Sequence, residues 1–464
     1  VSLTTTLRTA ALAWFFFAIG CYTMLAPIDG PIPIGAAVLP RTGAIALAAS
    51  LVLAGTIALC SLAGVWRDER LADSRVTLAA WLAALLVPAL LGFNLTHSLE
   101  VAGMALLCAI VHVALVRWWP TPGVASAVLW TAVVGGLGLA LAAIAMQITH
   151  RPADVYAANL GRATGFFVTP NQFAAWLVPF TALTAGVALA APAAGVALAA
   201  PAAGVALAAP AAGVALAAPR RALRVTALVA SIAGALALVA TFSLGGWIGG
   251  AVAALVALWW LGRRALAAGV GALLVLVALV VVADPALTHH RMSERLVRLD
   301  AIAAGARIAA AFPLTGVGPM NYALLYPAFR TPSSTEDAII STHPHDVIVS
   351  LFAETGIAGV LAIAFGWWRI GRAIRTAYRF ADVPTRRLTA CICAGIAGRF
   401  VHGFVDLVGV VELTFFWIPF AALALAIARN GIPPVILSAG SRSEPESKDS
   451  EQSEVSRGPS TSSG

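Results

Sequence analysis

Residues 341–359 read STHPHDVIVSLFAETGIAG, with His343, His345 and Asp346 at the lip of an apolar run and Glu354 nine residues inside it. Histidine, with an unperturbed pKa of about 6.5, can take a proton near neutral pH. Two histidines flanking Pro344 at a water boundary therefore point to proton transfer, with a purely structural role for either as the plainer alternative. Asp346 falls at the first turn of a predicted helix, where capping and the helix dipole favour a carboxylate; it could also raise the pKa of His345. Glu354 lies roughly 13 Å deeper at a helical rise of 1.5 Å. An ionisable group at that depth is costly and normally faces a bundle interior with a partner, so an anchoring role is expected. Gly356 and Gly359 would let another helix approach closely.

Arginines supply the complementary chemistry. In HHRMSERLVRLDAIAAGARIAAAF, Arg291, Arg295 and Arg298 stand at i, i+4 and i+7, on one helix face. Such a face can clamp phosphate through paired hydrogen bonds, or lie at a membrane surface facing headgroups. The following FPLTGVGPMNY reads as a turn able to close over a ligand. In GRATGFFVTPNQFA (161–174), Thr169 or Asn171 is expected to cap the next helix. Arg162 then lies near the positive end of a helix dipole, where anions gather, or is simply a solvated loop charge. Finally GRFVHGFVDL places Arg399, His402 and Asp406 on one face. Arg399 is expected to pair with Glu354 and His402 with Asp406, lining a cavity below His345.

The elements that must hold these groups are apolar. The chain is 60% hydrophobic and 11% charged, with net charge +8 and mean hydropathy +0.90. That composition excludes an ordinary soluble domain and predicts an all-α polytopic membrane protein. Twelve spans are expected, at about 7–26, 43–65, 76–96, 99–116, 123–148, 171–191, 225–243, 246–262, 265–283, 347–368, 388–409 and 411–427. The first of them is read as a span and not as a removed signal peptide. With both termini in the cytoplasm, every short basic loop falls on one side, as the positive-inside rule demands. The long loop 284–346 then lies outside, with short helices, and its arginines on that face call for an anionic ligand. Residues 185–219 repeat AGVALAAPA at a period of nine with a proline in each copy, an insertion with no expected function. The membrane domain is taken as 1–430, and the Ser- and Glu-rich residues 438–464 as a disordered cytoplasmic tail. All five cysteines lie in apolar runs, without disulfide or metal spacing.

RATGFFVTPNQFA, RLDAIAAGARIAAAFPLTGVGPMNY, HPHDVIVSLFAETGIAGV and HGFVDL, in this order, resemble the O-antigen ligase and polymerase superfamily of bacterial inner membranes. The resemblance extends over most of residues 1–430 and implies a fold like that of the GT-C glycosyltransferases, acting at the periplasmic face. The implied donor is a polysaccharide on undecaprenyl diphosphate, and the implied ligase acceptor is a sugar hydroxyl of lipid A-core. No metal, other cofactor or nucleic-acid partner is implied beyond these substrates and the surrounding membrane lipids, and the transfer would be inverting. Carried over by motif, His345, with His343 beside it, would activate the acceptor hydroxyl, and Arg162 and Arg298 would hold the diphosphate. Arg291 and Arg295 join them from helix geometry alone. Two departures stand out. Asp346 replaces the asparagine usual after that histidine, and FSLGGW places Leu244 where relatives commonly have an arginine. The Arg-x10-Gly spacing used to describe polymerases, met here by Arg307 and Gly318, arises by chance at this glycine content. The expected function is O-antigen ligase. The alternatives are O-antigen polymerase with the same donor and, from a different class, a twelve-span transporter or flippase, which the intramembrane Glu354 and Arg399 would favour.

Overall fold

The computed structural model describes residues 3–25, 52, 55–56, 67–121, 123–165, 167, 169–190, 220–268, 270–271, 292–331, 343–405 and 410–432. Every regular element among them is helical: α1 (Leu3–Leu25), α2 (Ala72–Leu91), α3 (Leu95–Trp118), α4 (Val124–Thr149), the short α5 (Ala153–Ala158), α6 (Pro170–Ala190), α7 (Arg220–Ala240), α8 (Leu244–Trp260), α9 (Met292–Ala311), the short α10 (Tyr322–Phe329), α11 (Val347–Phe380), α12 (Val383–Val405) and α13 (Val410–Asn430). Six of these, α2, α3, α4, α6, α7 and α11, are long and apolar enough to cross a membrane, and α1, α8 and α13 carry shorter apolar stretches. The expected spans at 43–65 and 265–283 lie almost wholly outside the described residues. So do the repeat from residue 191 onward and the tail. The long loop contributes α9 and α10.

Small residues decide how the helices meet. On one side α8 packs on α12, α12 on α6, α6 on α7 and α7 on α4. Gly398 and Gly249 put α12 and α8 backbone to backbone, and a Cβ at Gly395 would come within 2.9 Å of the Pro179 Cα on α6. Such close approach is what glycine permits between membrane helices. On the other side α11 packs on α2 and α13, and α13 on α3. Between the two groups sits an aromatic core: Trp176 stacks on Phe180 with centroids 4.0 Å apart. Phe180 and Phe16 both contact Phe420, at 5.2 and 5.5 Å, joining α6, α1 and α13. Exposed Leu228, Ile232, Leu236 and Val239 form the outer face of α7, as lipid contact requires.

One end of the bundle is tied by charge. Asp73 of α2 takes Arg369 of α11 at 2.8 Å and Arg429 of α13 at 2.7 Å. The opposite end of α11 carries the histidines.

Candidate active site

α11 starts at residue 347 because Asp346 caps it: one carboxylate oxygen accepts from the Ile348 and Val349 N–H groups, both at 2.9 Å. The preceding residue, His345, has φ 56°, a left-handed conformation uncommon for a non-glycine residue. That turn brings the two imidazoles edge to face, with centroids 4.4 Å apart at 64°. His345 Nδ1 is buried with no hydrogen-bond partner. A buried polar atom left unpaired costs on the order of 1–3 kcal/mol, which a substrate hydroxyl could recover.

α9 brings the cation. A Cβ at Gly305 would meet Val349 Cγ1 at 2.6 Å and Pro344 Cβ at 3.0 Å, so only glycine lets α9 close on the lip. Arg298, two turns earlier on α9, is half-buried, and its charge reaches His343, His345 and, on α12, His402. Burial first, and then the Arg298 charge, push the His345 pKa down to about 4. The same causes, with His345 added, hold His343 well below the usual range. The shift therefore runs opposite to the one expected from Asp346, whose carboxylate is occupied as a cap.

The other side of α9 holds its own hairpin. Tyr326 Oη donates to Asp300 at 3.0 Å, and the Thr331 N–H donates to the other Asp300 oxygen at 3.1 Å. Arg307 donates to the Phe329 carbonyl at 2.7 Å and to Thr331 Oγ1 at 3.1 Å, so its place in the Arg-x10-Gly spacing is structural.

The segment 313–321 is a plug rather than a cover over a ligand. α11 is broken at Gly356 (φ 61°, ψ −174°), and the loop occupies the break. The N–H groups of Val317 and Gly318 donate to the carbonyls of Ala353 and Glu354 at 2.9 and 3.0 Å. Those of Ile357 and Ala358 donate to the carbonyls of Pro313 and Leu314 at 2.9 and 3.2 Å. Backbone groups freed by a break inside a membrane helix must find partners, and here the loop supplies all four. Gly316 (φ 66°) and Gly318 (φ 93°) give the loop its left-handed turns. Asn321 then fastens it to α3, donating to Ser98 Oγ at 3.1 Å, while Ser98 donates to the Pro319 carbonyl at 2.9 Å. At Gly356 it is this loop that approaches, not a helix; at Gly359 the α2 carbonyl of Ala84 does come close.

Glu354 belongs to the plug. It is 1% exposed, and one carboxylate oxygen accepts from the Met320 N–H at 3.3 Å. No hydrogen bond or ion pair joins it to Arg399, so the expected pair is not made. Arg399 and His402 are both fully buried on α12, and neither ring nitrogen of His402 has a hydrogen-bond partner. Asp406, the expected partner of His402, and Arg291 lie outside the described residues, as does the side chain of Arg295.

Arg162 is a clasp at the neighbouring corner. Its Nε donates to the Thr241 carbonyl at 2.9 Å, and a terminal nitrogen donates to Asn171 Oδ1 at 2.6 Å. The Ala163 N–H also donates to the Ala240 carbonyl, at 3.0 Å, so residues 162–163 finish α7. Thr169 Oγ1 caps α6, accepting from the Gln172 N–H at 3.2 Å, which leaves Asn171 to Arg162. Ser243 caps α8, and Gly249 of α8 packs on the His402 Cβ. Arg162 is thus joined through α8 to the corner where Arg298, His343, His345 and His402 meet.

Residues 227–364, from mid-α7 through the plug to the first half of α11, match the family model described as O-antigen ligase (Wzy_C). That stretch, under a third of the chain, is similar to the O-antigen ligase superfamily. It contains Arg298, both lip histidines, the plug and Glu354, while Arg162, Arg399 and His402 lie outside it. No curated protein matches the chain.

Proposed function

We propose that this chain is an O-antigen ligase, transferring a polysaccharide from undecaprenyl diphosphate to a sugar hydroxyl of lipid A-core. The reaction would take place at the periplasmic face of the inner membrane, at the end of α11 that carries the histidines. The observation that carries this reading is the unpartnered His345 Nδ1 beside Arg298, inside the matched domain. The acceptor oxygen attacks the anomeric carbon as the bond from that carbon to the diphosphate oxygen breaks. The acceptor proton passes to His345, and the charge left on the diphosphate is met by Arg298. Arg162, Arg291 and Arg295 are the further cations proposed for the diphosphate. His343 holds the ring of His345 by edge contact. Glu354, Arg399 and His402 support the site from below.

The electrostatics give this base a dependence on its substrate. In the free protein burial, and then the Arg298 charge, keep His345 neutral and weakly basic. A bound diphosphate offsets that charge and raises the imidazole pKa when a proton must be taken up. Transport receives less support, since Glu354, one of the two residues favouring it, is spent on the Met320 N–H.

The test is a reaction of purified full chain with lipid-linked polysaccharide and lipid A-core. A covalent product is expected, and its absence sinks the reading. A donor-only arm that yields longer lipid-linked chains would make the protein a polymerase instead. In the same assay His345→Ala is expected to lower turnover by about 10²–10⁴-fold, the usual span for a general base, while donor binding survives.

A further inference from the structure

α11 has 34 residues, about 51 Å at 1.5 Å per residue, against a hydrocarbon core of about 30 Å. Past Gly356 it carries Leu361, Phe365, Trp368, Arg372, Arg375 and Arg379, spaced alternately by four and three residues and so on one face. All six are exposed. The face is apolar for its first half and basic for its second, and the change falls where the Arg372 guanidinium lies over the Trp368 ring, 5.8 Å from its centroid. Arg369 and Arg429 at this end are held by Asp73. Arg372, Arg375 and Arg379 have no carboxylate partner among the described residues. Between them is a cleft of about 590 Å³, bordered by Trp368, Gly371 and the three arginines. A Cβ at Gly371 would meet nothing within 4 Å.

We propose that this stripe binds one anionic phospholipid. An acyl chain runs along Leu361, Phe365 and Trp368, and the phosphate enters the cleft among Arg372, Arg375 and Arg379. A basic face that merely marks the side of the membrane needs neither the apolar half in register with it nor the open floor at Gly371. A free phosphate would use the arginines alone. The charge complementarity and the interfacial tryptophan both fit a lipid headgroup. The site lies at the opposite end of α11 from His345, so it stands or falls apart from the proposed reaction.

The experiment follows the thermal midpoint of the purified full chain in neutral detergent, titrated with phosphatidylglycerol, phosphatidylcholine or inorganic phosphate. Phosphatidylglycerol is expected to raise the midpoint, and the other two to leave it in place. Replacing all three arginines (R372Q, R375Q, R379Q) is expected to weaken the phosphatidylglycerol response roughly a hundredfold, from about fivefold per basic residue. The midpoint without lipid should change little, because among the described residues these side chains hold no ion pair, and Arg372 makes only an exposed contact with the Trp368 ring. Gly371→Phe keeps every charge but fills the cleft, and should weaken the response as well. The proposal is overturned if the triple variant responds like the parent, if inorganic phosphate reproduces the shift, or if phosphatidylcholine is as effective.

Discussion

His345 is placed by a backbone turn that histidine rarely adopts, and the turn is held because Asp346 caps the helix behind it. Its imidazole titrates at about 4 against an ordinary value of 6.5. Two expectations follow from that single displacement. The first concerns rate: kcat/KM, which reports the free enzyme, should keep its value down to near pH 4 on the acid side. The acid limb of kcat should lie higher, because bound diphosphate offsets Arg298. A pH–rate profile in which both limbs coincide would remove Arg298 from the electrostatics of the base. The second concerns stability. Between pH 6.5 and 4 the unfolded chain binds a proton at this position and the folded chain does not, so stability is full above about 6.5 and falls as the pH drops. His343, shifted the same way, adds to the slope. Denaturation midpoints in mixed micelles should decline across that window, and less steeply in His345→Ala.

At the level of elements, α11 is two helical pieces joined by a foreign backbone. Gly316 and Gly356 both have positive φ, and a Cβ on either would run into the backbone of the other strand. Gly356→Ala should therefore cost about 2–4 kcal/mol, combining left-handed strain with lost bonds across the break. Glu354→Gln keeps an oxygen for the Met320 N–H and should be tolerated, whereas Glu354→Leu strands that donor at about 1–3 kcal/mol. A charge exchange between Glu354 and Arg399 should rescue neither single reversal, which thermal midpoints of the three variants will show. The sequence pattern made much of this end visible. His343, His345 and Asp346 read correctly as a helix lip, and Arg298 as a cation near it, because capping and helical spacing are local rules. The plug was not visible, since its backbone bonds join residues at least 36 apart in the chain, and nothing local says that one loop completes the other's hydrogen bonds. The pair of left-handed glycines beside a glycine inside an apolar helix was the one available signal. For the same reason the sequence leaves Thr169 and Asn171 both open as the cap of α6: Thr169 takes it, and the partner of Asn171, Arg162, is fixed only when α6 and α7 lie side by side.

For the molecule as a whole, the two ends of α11 divide the work. One end gathers two histidines and Arg298, all within the matched residues 227–364, with buried His402 from outside that stretch. The other is a charge-tied end with an arginine cleft. The nonapeptide repeat lies between α6 and α7, and only its first copy enters the described structure, where Gly186 packs on Leu388 and Cys391 of α12. Deleting two later copies should leave ligation intact at normal expression; lost product from a well-folded deletion would assign the repeat a role. Length and hydropathy showed the helical membrane class and most helix positions, since those depend on composition over a window. The number of crossings depends on every segment at once.

The exchange of backbone partners at Gly356 also sets a clock. The amides of Val317, Gly318, Ile357 and Ala358 are distant in the chain, yet none can meet deuterium until the loop leaves the helix. They share one opening event, and so one protection free energy, and the reciprocal of the opening rate is the longest time for which the lip with its histidines can be regarded as a fixed body.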